Sequence, residues 1–219
     1  KFAVMVNSGS SANLLMISSL VLNEDIDLKE GDEVIVPSLS WATTYSPLSQ
    51  YKLKARFVDI NIDTLNIDEE KIIKAITPKT KAILGVNILG NPIAFDKIIE
   101  ICKTYKLLFI EDNCESLGAK FNNKFAGTFG LIGTFSFYFS HHIHTIEGGM
   151  AITDNEDIYH YLLSLRAHGW IRDLPDNNSL IKKSGNKFED CFKFALPGYN
   201  LRPNEINGSI GCAQIKKID

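Results

Sequence analysis

The sequence has no excess of positive charge, no membrane-length apolar run and no signal-peptide pattern. Its 219 residues carry 23 Lys and Arg against 26 Asp and Glu, a formal net charge of −3, which argues against binding along a nucleic-acid backbone. No stretch approaches the roughly 18 apolar residues that a membrane span requires, and the N-terminus lacks the basic and apolar segments of a secretory signal. The composition therefore predicts a globular, cytoplasmic protein that binds neither nucleic acid nor membrane.

Grouped cysteines are also missing. The four cysteines are spread along the chain, at Cys102, Cys114, Cys191 and Cys212. None forms a C-x-x-C pair, and no His stands at zinc-ligand spacing from them. We therefore expect no metal site, and four buried thiols in a reducing compartment.

Both ends of the chain look interrupted. The first residue is not Met, Phe2 to Val6 already reads as a buried strand, and the last six residues continue a helical pattern. Domains normally begin and end in exposed, loosely held segments. We therefore expect residues 1–219 to be a fragment of a longer protein.

Apolar strands alternate with helical patterns through the first half of the chain. The periodicity predicts strands at 2–6, 33–36, 56–60, 81–86 and 107–110, and helices at 12–23, 42–51, 68–76 and 95–105. Strands that are apolar throughout indicate an α/β fold with a mostly parallel sheet covered on both faces. Further on, the pattern predicts strands at 134–138 and 150–153, a helix at 156–166 and a long polar loop at 173–190.

Four polar segments follow predicted strand ends, and ligands bind at the carboxyl ends of parallel strands. We therefore expect one site where the four segments meet: 7–11, 38–41, 112–115 and the segment after Tyr138.

Individual residues in these segments have two explanations each. The Ser-rich turn at 8–11 is either a plain helix N-cap or an anion site at a helix N-terminus. Asp112 either caps a turn or keeps a pyridine nitrogen protonated, as in pyridoxal chemistry. Trp41 is either a core residue or a flat face for such a ring. Ser136 is a further hydroxyl near the expected site, and by itself it is simply a strand residue.

Three of the five histidines fall within four residues, at His141, His142 and His144. A metal site is one reading, but no Cys or group of carboxylates accompanies them. One His acting as general base near neutral pH is chemically easier to support. A surface loop explains the cluster equally well, and the pattern assigns no separate roles to His142 and His144.

Seven short motifs occur in a fixed order along the chain. They are SGSSAN at 8–13, VPSLSW at 36–41, EDNCES at 111–116, GTFG at 127–130, TFSF at 134–137, EGG at 147–149 and GYNLR at 198–202. Together they resemble the DegT/DnrJ/EryC1/StrS sugar aminotransferases, pyridoxal-phosphate enzymes with the aspartate aminotransferase fold, also called fold type I. The resemblance implies that residues 1–219 are the cofactor-binding large domain. It also implies that an N-terminal segment and a smaller C-terminal domain lie outside this range.

One position departs from the pattern of these aminotransferases. Their catalytic Lys, six residues before the Glu of the EGG motif, is His141 here, and no lysine occurs between Lys124 and Lys182. An imidazole cannot bond covalently to the cofactor aldehyde, but it can move a proton. This departure resembles the 3-dehydratase branch, which uses pyridoxamine phosphate, not covalently attached, to remove the C3 hydroxyl of nucleotide-linked 4-keto-6-deoxy sugars.

Three further motifs indicate the substrate within that branch. SHHI at 140–143, RAHGW at 166–170 and LPGYN at 196–200 look most like members that act on GDP-4-keto-6-deoxy-D-mannose in colitose and O-antigen biosynthesis. A related CDP-sugar enzyme carries an iron–sulfur cluster, which needs grouped Cys thiolates. Residues 166–190 contain no cysteine, so we expect no such cluster.

The resemblance also implies roles for individual residues. His141 would be the catalytic acid and base. The cofactor would be held by seven residues: Gly9, Ser10 and Ser136 at the phosphate, Trp41 by ring stacking, Asp112 at the pyridine nitrogen, together with Glu115 and Asn200. Asn200 would reach the cofactor of a neighbouring subunit, which implies a homodimer.

The family regenerates its amine from L-glutamate, and guanidinium groups suit carboxylates. Arg172 and Arg202, beside His168, are therefore expected to bind this second substrate, although a surface ion pair explains either Arg as well. Two other functions stay open for the chain. One is an aminotransferase that tolerates His at position 141, and the other is an inactive relative that only binds the cofactor.

Overall fold

Seven strands form one central sheet, and a single strand runs against the other six. The computed structural model describes residues 1–218. The sheet strands are β1 (Phe2–Val6), β2 (Glu33–Pro37), β3 (Lys54–Val58), β4 (Thr80–Val86), β5 (Leu108–Asp112), β8 (Gly133–Ser136) and β9 (Gly149–Thr153), and β6 (Lys120–Phe121) and β7 (Lys124–Phe125) form a separate hairpin. The spatial order is β1-β9-β8-β5-β4-β2-β3. Strand β9 pairs antiparallel with both of its neighbours, β1 and β8, and the remaining pairings are parallel.

Seven α-helices accompany the sheet within the described residues. They are α1 (Gly9–Val21), α2 (Ala42–Gln50), α3 (Glu69–Ala75), α4 (Phe95–Tyr105), α5 (Glu156–Arg166), α6 (Lys187–Cys191) and α7 (Glu205–Gln214). None of the helices within residues 1–218 combines the length and the apolar character needed to cross a bilayer.

The central strands bury side chains on both faces of the sheet. Along β2, Val34 belongs to the core that includes α1 and α5, whereas its neighbour Ile35 belongs to the core that includes α3 and α4. Successive side chains of a strand point to opposite faces, so both faces are covered. The predicted α/β fold with a mostly parallel sheet is confirmed.

Several predicted boundaries are confirmed and others shift. Helices α4 and α5 have the predicted bounds, and the Asp68 carboxylate caps α3 by accepting from the Glu70 amide at 3.1 Å. Helix α1 begins three residues earlier than predicted, because the Ser8 side chain caps it. Strand β3 lies at Lys54–Val58, not at 56–60, since Ile60 instead forms an isolated bridge with Ile67.

The cysteine expectation is wrong for two of the four residues. Cys102 is buried, whereas Cys191 and Cys212 are exposed. Cys191 ends the short helix α6, which also starts inside the predicted 173–190 loop. Local side-chain bonds create that helix: Asp190 accepts from the Ser184 amide and hydroxyl, both at 3.0 Å.

A buried carboxylate fixes the turn before β8. Glu111 is fully buried and accepts from the amides of Gly127, Phe129 and Gly130 at 2.5 to 2.7 Å. Burial raises the pKa of Glu111, and the three amides oppose that rise. These bonds attach the GTFG turn to β5. Because β8 follows this turn, they also position β8 and Ser136.

Candidate active site

One cavity of about 480 Å³ opens at the carboxyl ends of the parallel strands. All four segments expected to converge contribute to its wall, as do seven of the eleven predicted site residues: Gly9, Ser10, Trp41, Asp112, Glu115, Ser136 and His141. The cavity thus lies where the rule for parallel sheets expects one, and the roles of these residues stay predictions.

The N-terminus of α1 forms one end of this cavity. Ser8 is the N-cap, and its hydroxyl accepts from the Ser11 amide at 3.1 Å. The amides of Gly9 and Ser10 belong to the first turn, where N–H groups lack acceptors within the helix and favour an anion. A Cβ on Gly9 would come within 2.5 Å of the Ser136 Cβ. The helix therefore approaches β8 as closely as only glycine permits. The Ser8 bond confirms the N-cap explanation of the Ser-rich turn, and the anion site stays a prediction.

Asp112 lies at the end of β5 and is only 4% exposed. Its Oδ2 accepts from Asn13 Nδ2 and from the Thr44 hydroxyl, both at 2.8 Å, and its Oδ1 accepts from the Cys114 amide at 3.1 Å. A carboxylate is costly to bury without such donors. The arrangement therefore fixes a hydrogen-bonded carboxylate at the cavity wall.

Trp41 is not a core residue. Its side chain is 75% exposed and lines the cavity. It precedes α2 without making a side-chain cap, so its indole is free to offer a flat face to a planar ring.

His141 lies half-buried in the connection between β8 and β9, where its amide donates to the Tyr138 carbonyl at 3.0 Å. Burial lowers the pKa of His141 below its usual value. The carboxylates of Glu115 and Asp112 act in the opposite direction, and His142 adds to the lowering. The lowered pKa favours the neutral ring, the state in which an imidazole accepts a proton.

Glu115 is held by a strained turn. Its Oε2 accepts from the Leu89 amide at 2.7 Å, and Leu89 adopts a left-handed backbone with φ of 51°. Such a conformation is costly for a bulky residue. The hydrogen bond to Glu115 helps to hold this turn at the edge of the cavity.

The four other predicted residues do not line this cavity, and they gather around Trp170 instead. The Arg172 guanidinium lies 3.6 Å from the Trp170 ring centre, and that of Arg202 lies at 5.6 Å. Arg202 also donates to Asn200 Oδ1 at 3.2 Å and stands 3.5 Å from His168 Nε2. We call these residues, 168, 170, 172, 200 and 202, the Trp170 cluster.

Sequence reasoning missed Asn13 and Thr44, which hold Asp112. Asn13 closes the SGSSAN motif and is a polar residue on an otherwise apolar helix face, which is the one local signal that marks it. His142 lies outside the cavity and is exposed, and the buried Nδ1 of His144 has no partner within residues 1–218. Within the same residues, no three His, Cys, Asp or Glu side chains are grouped as metal ligands.

A helix N-terminus for an anion, an exposed indole and a buried carboxylate surround one cavity on a mostly parallel sheet. This arrangement is that of the pyridoxal-phosphate enzymes of fold type I. More narrowly, the chain belongs to the DegT/DnrJ/EryC1/StrS aminotransferase family, whose model matches residues 1–219.

Individual relatives refine this assignment. The chain is 59% identical over its full length to the GDP-4-keto-6-deoxy-D-mannose 3-dehydratase of Escherichia coli O55:H7, and it covers 56% of that relative. An E. coli structure of this enzyme with hydrated PLP superimposes with a TM-score of 0.96, at 59% identity over 99% of this chain and 56% of that one. A second structure of such an enzyme contains a trapped PLP–glutamate geminal diamine, with a TM-score of 0.97 and 58% identity over 100% and 57% of the two chains. The 219 residues thus span little more than half of these relatives.

Proposed function

We propose that the protein is a 3-dehydratase that depends on pyridoxamine phosphate and removes the C3 hydroxyl of a nucleotide-linked 4-keto-6-deoxy sugar. The substrate would be GDP-4-keto-6-deoxy-D-mannose, the sugar in the name of the E. coli relative. The names and identities of the relatives support this substrate, whereas the cavity itself supports the type of reaction.

One observation carries the proposal: the cavity wall contains His141 and, within the described residues, no lysine. An aminotransferase of this family needs a lysine amine for its covalent bond to the cofactor. A neutral imidazole in that place offers proton transfer without a covalent bond.

The residues present fit a pyridoxal-type cofactor. A Cβ on Gly9 would occupy the narrow gap between α1 and Ser136. The glycine therefore leaves space beside the first-turn amides, and a bound phosphate requires that space. Asp112 supplies a buried acceptor for a ring N–H, and Trp41 supplies a stacking face. These residues thus match the phosphate, the ring and the ring nitrogen of one pyridoxal-type molecule, bound without a covalent bond.

When bound, pyridoxamine phosphate supplies an amine for the C4 ketone of the sugar and a ring that accepts the electrons of a broken C–H bond. His141 accepts a proton on its ring nitrogen and then delivers it to the departing C3 oxygen of the sugar. Asp112 keeps a proton on the pyridine nitrogen by offering a negative charge in a water-poor site. Burial lowers the pKa of His141, and the Glu115 carboxylate partly opposes that lowering.

We assign the Trp170 cluster to L-glutamate. Arg172 and Arg202 bring two positive charges to the Trp170 ring, at 3.6 and 5.6 Å from its centre, and each guanidinium can bind a carboxylate through two hydrogen bonds. The cluster lies outside the cavity wall of a single chain. Asn200 of the cluster would contact the cofactor of a neighbouring subunit. We therefore propose a homodimer.

Exposed apolar residues in or beside the segments that contribute to the cavity wall support this second copy. Leu39, Tyr138, Phe139 and Ile146 are 40% to 62% exposed, and exposed apolar side chains gain from burial against a partner. We place the reaction in the cytoplasm, where four unpaired cysteines stay reduced.

The test uses the full-length protein, pyridoxal phosphate and L-glutamate, with spectra recorded before and after borohydride. We expect conversion to the pyridoxamine form, no covalent lysine adduct, and a product from GDP-4-keto-6-deoxy-D-mannose that has lost its C3 hydroxyl. An amino sugar that keeps this hydroxyl would identify an aminotransferase. Binding of the cofactor without any product would identify an inactive relative.

A further inference from the structure

Three buried polar side chains lead to the Asp112 carboxylate and have no role in the chemistry above. Asn13 Nδ2 and Thr44 Oγ1 both donate to the same oxygen, Oδ2, at 2.8 Å. Thr134 Oγ1 in turn donates to Asn13 Oδ1 at 2.6 Å. None of the three is more than 2% exposed, so water cannot replace a lost partner.

The hydrogen bonds in this network have a fixed direction. An ionised carboxylate only accepts hydrogen bonds, so Asn13 must turn its NH₂ group toward Asp112. The Thr134 hydroxyl completes this orientation by donating to the amide oxygen. A flipped amide would place that oxygen against the carboxylate, and the short bond from Thr134 disfavours the flip.

Both side-chain donors use Oδ2, which leaves capacity on Oδ1. Within residues 1–218, Oδ1 accepts only from the Cys114 amide, at 3.1 Å, and a carboxylate oxygen has room for a second donor. Asp112 lines the cavity. Oδ1 is therefore the oxygen with room for a ring N–H.

We propose that Asn13, Thr44 and Thr134 are positioning residues that hold Asp112 so that its Oδ1 meets the protonated ring nitrogen of the cofactor. The proposal rests on the proposed function, because it needs a pyridine ring in the cavity. The terminal torsion of an Asp side chain has a broad range of allowed angles. Two donors on one oxygen restrict that torsion and fix the direction of the other oxygen.

Thr134→Val gives the most direct test, because Thr134 does not line the cavity and reaches the carboxylate through Asn13. Thr44→Val removes the second donor, and Thr44→Ser restores it. Ser19→Ala is the matched control, since the Ser19 hydroxyl is a buried group of α1 that donates to Met16 O at 2.9 Å, outside the network. Each variant is made in the full-length protein and loaded with pyridoxamine phosphate labelled with heavy nitrogen in its ring.

NMR then follows the pH at which the bound ring nitrogen loses its proton, and fluorescence gives the dissociation constant of the cofactor. We expect this pH to fall by about one unit, a tenfold weaker hold on the proton, in both valine variants. It should recover in Thr44→Ser and stay unchanged in Ser19→Ala.

An unchanged titration in the valine variants overturns the positioning role, even where activity falls. If one valine variant does not fold, the titration of the other valine variant decides whether the positioning role holds. A wild-type protein that binds no cofactor overturns the proposed function, and this inference with it. If the wild type binds the cofactor and the Asp112→Asn variant loses the proton on the ring nitrogen, the proposed function is supported independently of the network.

Discussion

The Arg172 guanidinium lies 3.6 Å from the centre of the Trp170 ring. This stacking holds a flexible cationic side chain in one orientation. Asp173, a sequence neighbour, lies 3.5 Å from Arg172 Nε and forms an ion pair with it. The stacked orientation of Arg172 supports the proposal that it binds a carboxylate of L-glutamate.

Arg172→Lys tests this pre-orientation in the full-length enzyme. Lysine keeps the charge but loses both the planar stacking and the two-bond contact with a carboxylate. We expect the KM for L-glutamate to rise about tenfold, equivalent to about 1.4 kcal/mol, with a smaller change in the KM for the sugar. Equal changes in both constants would show that Arg172 does not bind glutamate. Lys187→Arg, on exposed α6, is the control for an exchange of cationic residues.

His141→Lys tests the reaction type. The new amine would lie in the cavity wall near the cofactor, so we expect a covalent adduct after borohydride reduction and at least about a hundredfold loss of dehydration, the order contributed by a positioned acid or base. Mass spectrometry of the reduced protein locates the adduct. His142→Lys, one residue further along and outside the cavity, should give no adduct. Wild-type dehydration by His141→Lys would show that another residue is the base.

The pH dependence of dehydration should follow His141. A base must be unprotonated, so activity falls as the pH drops through its pKa, and burial places that pKa below its usual value. Glu115 raises the pKa of His141, so Glu115→Gln should move the acidic limb of kcat to still lower pH. The same profile, measured over the acidic range for wild type and variant, checks the sign. A limb that moves to higher pH would assign the titration to another group.

Gly9→Ala should weaken the cofactor site through sterics alone. The added methyl would lie 2.5 Å from the Ser136 Cβ, and such overpacking costs about 1–3 kcal/mol. We expect a lower Tm and at least about tenfold weaker binding of pyridoxamine phosphate, measured by fluorescence titration. Gly208→Ala in α7 is the matched control, because nothing lies within 4 Å of its added Cβ. Binding as tight as that of the wild type would show that the gap between α1 and β8 accommodates an added methyl group.

The location of the cavity followed from the sequence, but the network around Asp112 did not. Alternating strands and helices implied a parallel sheet, and strand ends of such a sheet lie on one edge, so residues as distant as Ser10 and His141 were correctly brought together. Asn13 and Thr44 contact Asp112 across 99 and 68 positions. No local periodicity encodes a side-chain bond of that range, so these partners became visible only in three dimensions.

The local sequence pattern also failed to predict where some strands and helices end. Val58 ends β3 although the apolar pattern continues to Ile60, since the pairing of Ile60 with Ile67 draws the chain away from the sheet. The exposure of Cys191 follows from its place at the end of a five-residue helix. In both cases a tertiary or capping contact outweighed the apolar pattern.

The reversed strand β9 makes the segment that carries His141 independent of the side chain at that position. The segment leaves the sheet at Ser136 and returns at Gly149 beside the same strand, and its ends are joined where the Phe137 amide donates to the Gly148 carbonyl at 2.8 Å. These are backbone bonds, and the side chain at position 141 takes no part in them. Exchanges at position 141 should therefore change the chemistry of the cavity while the connection between β8 and β9 keeps its course.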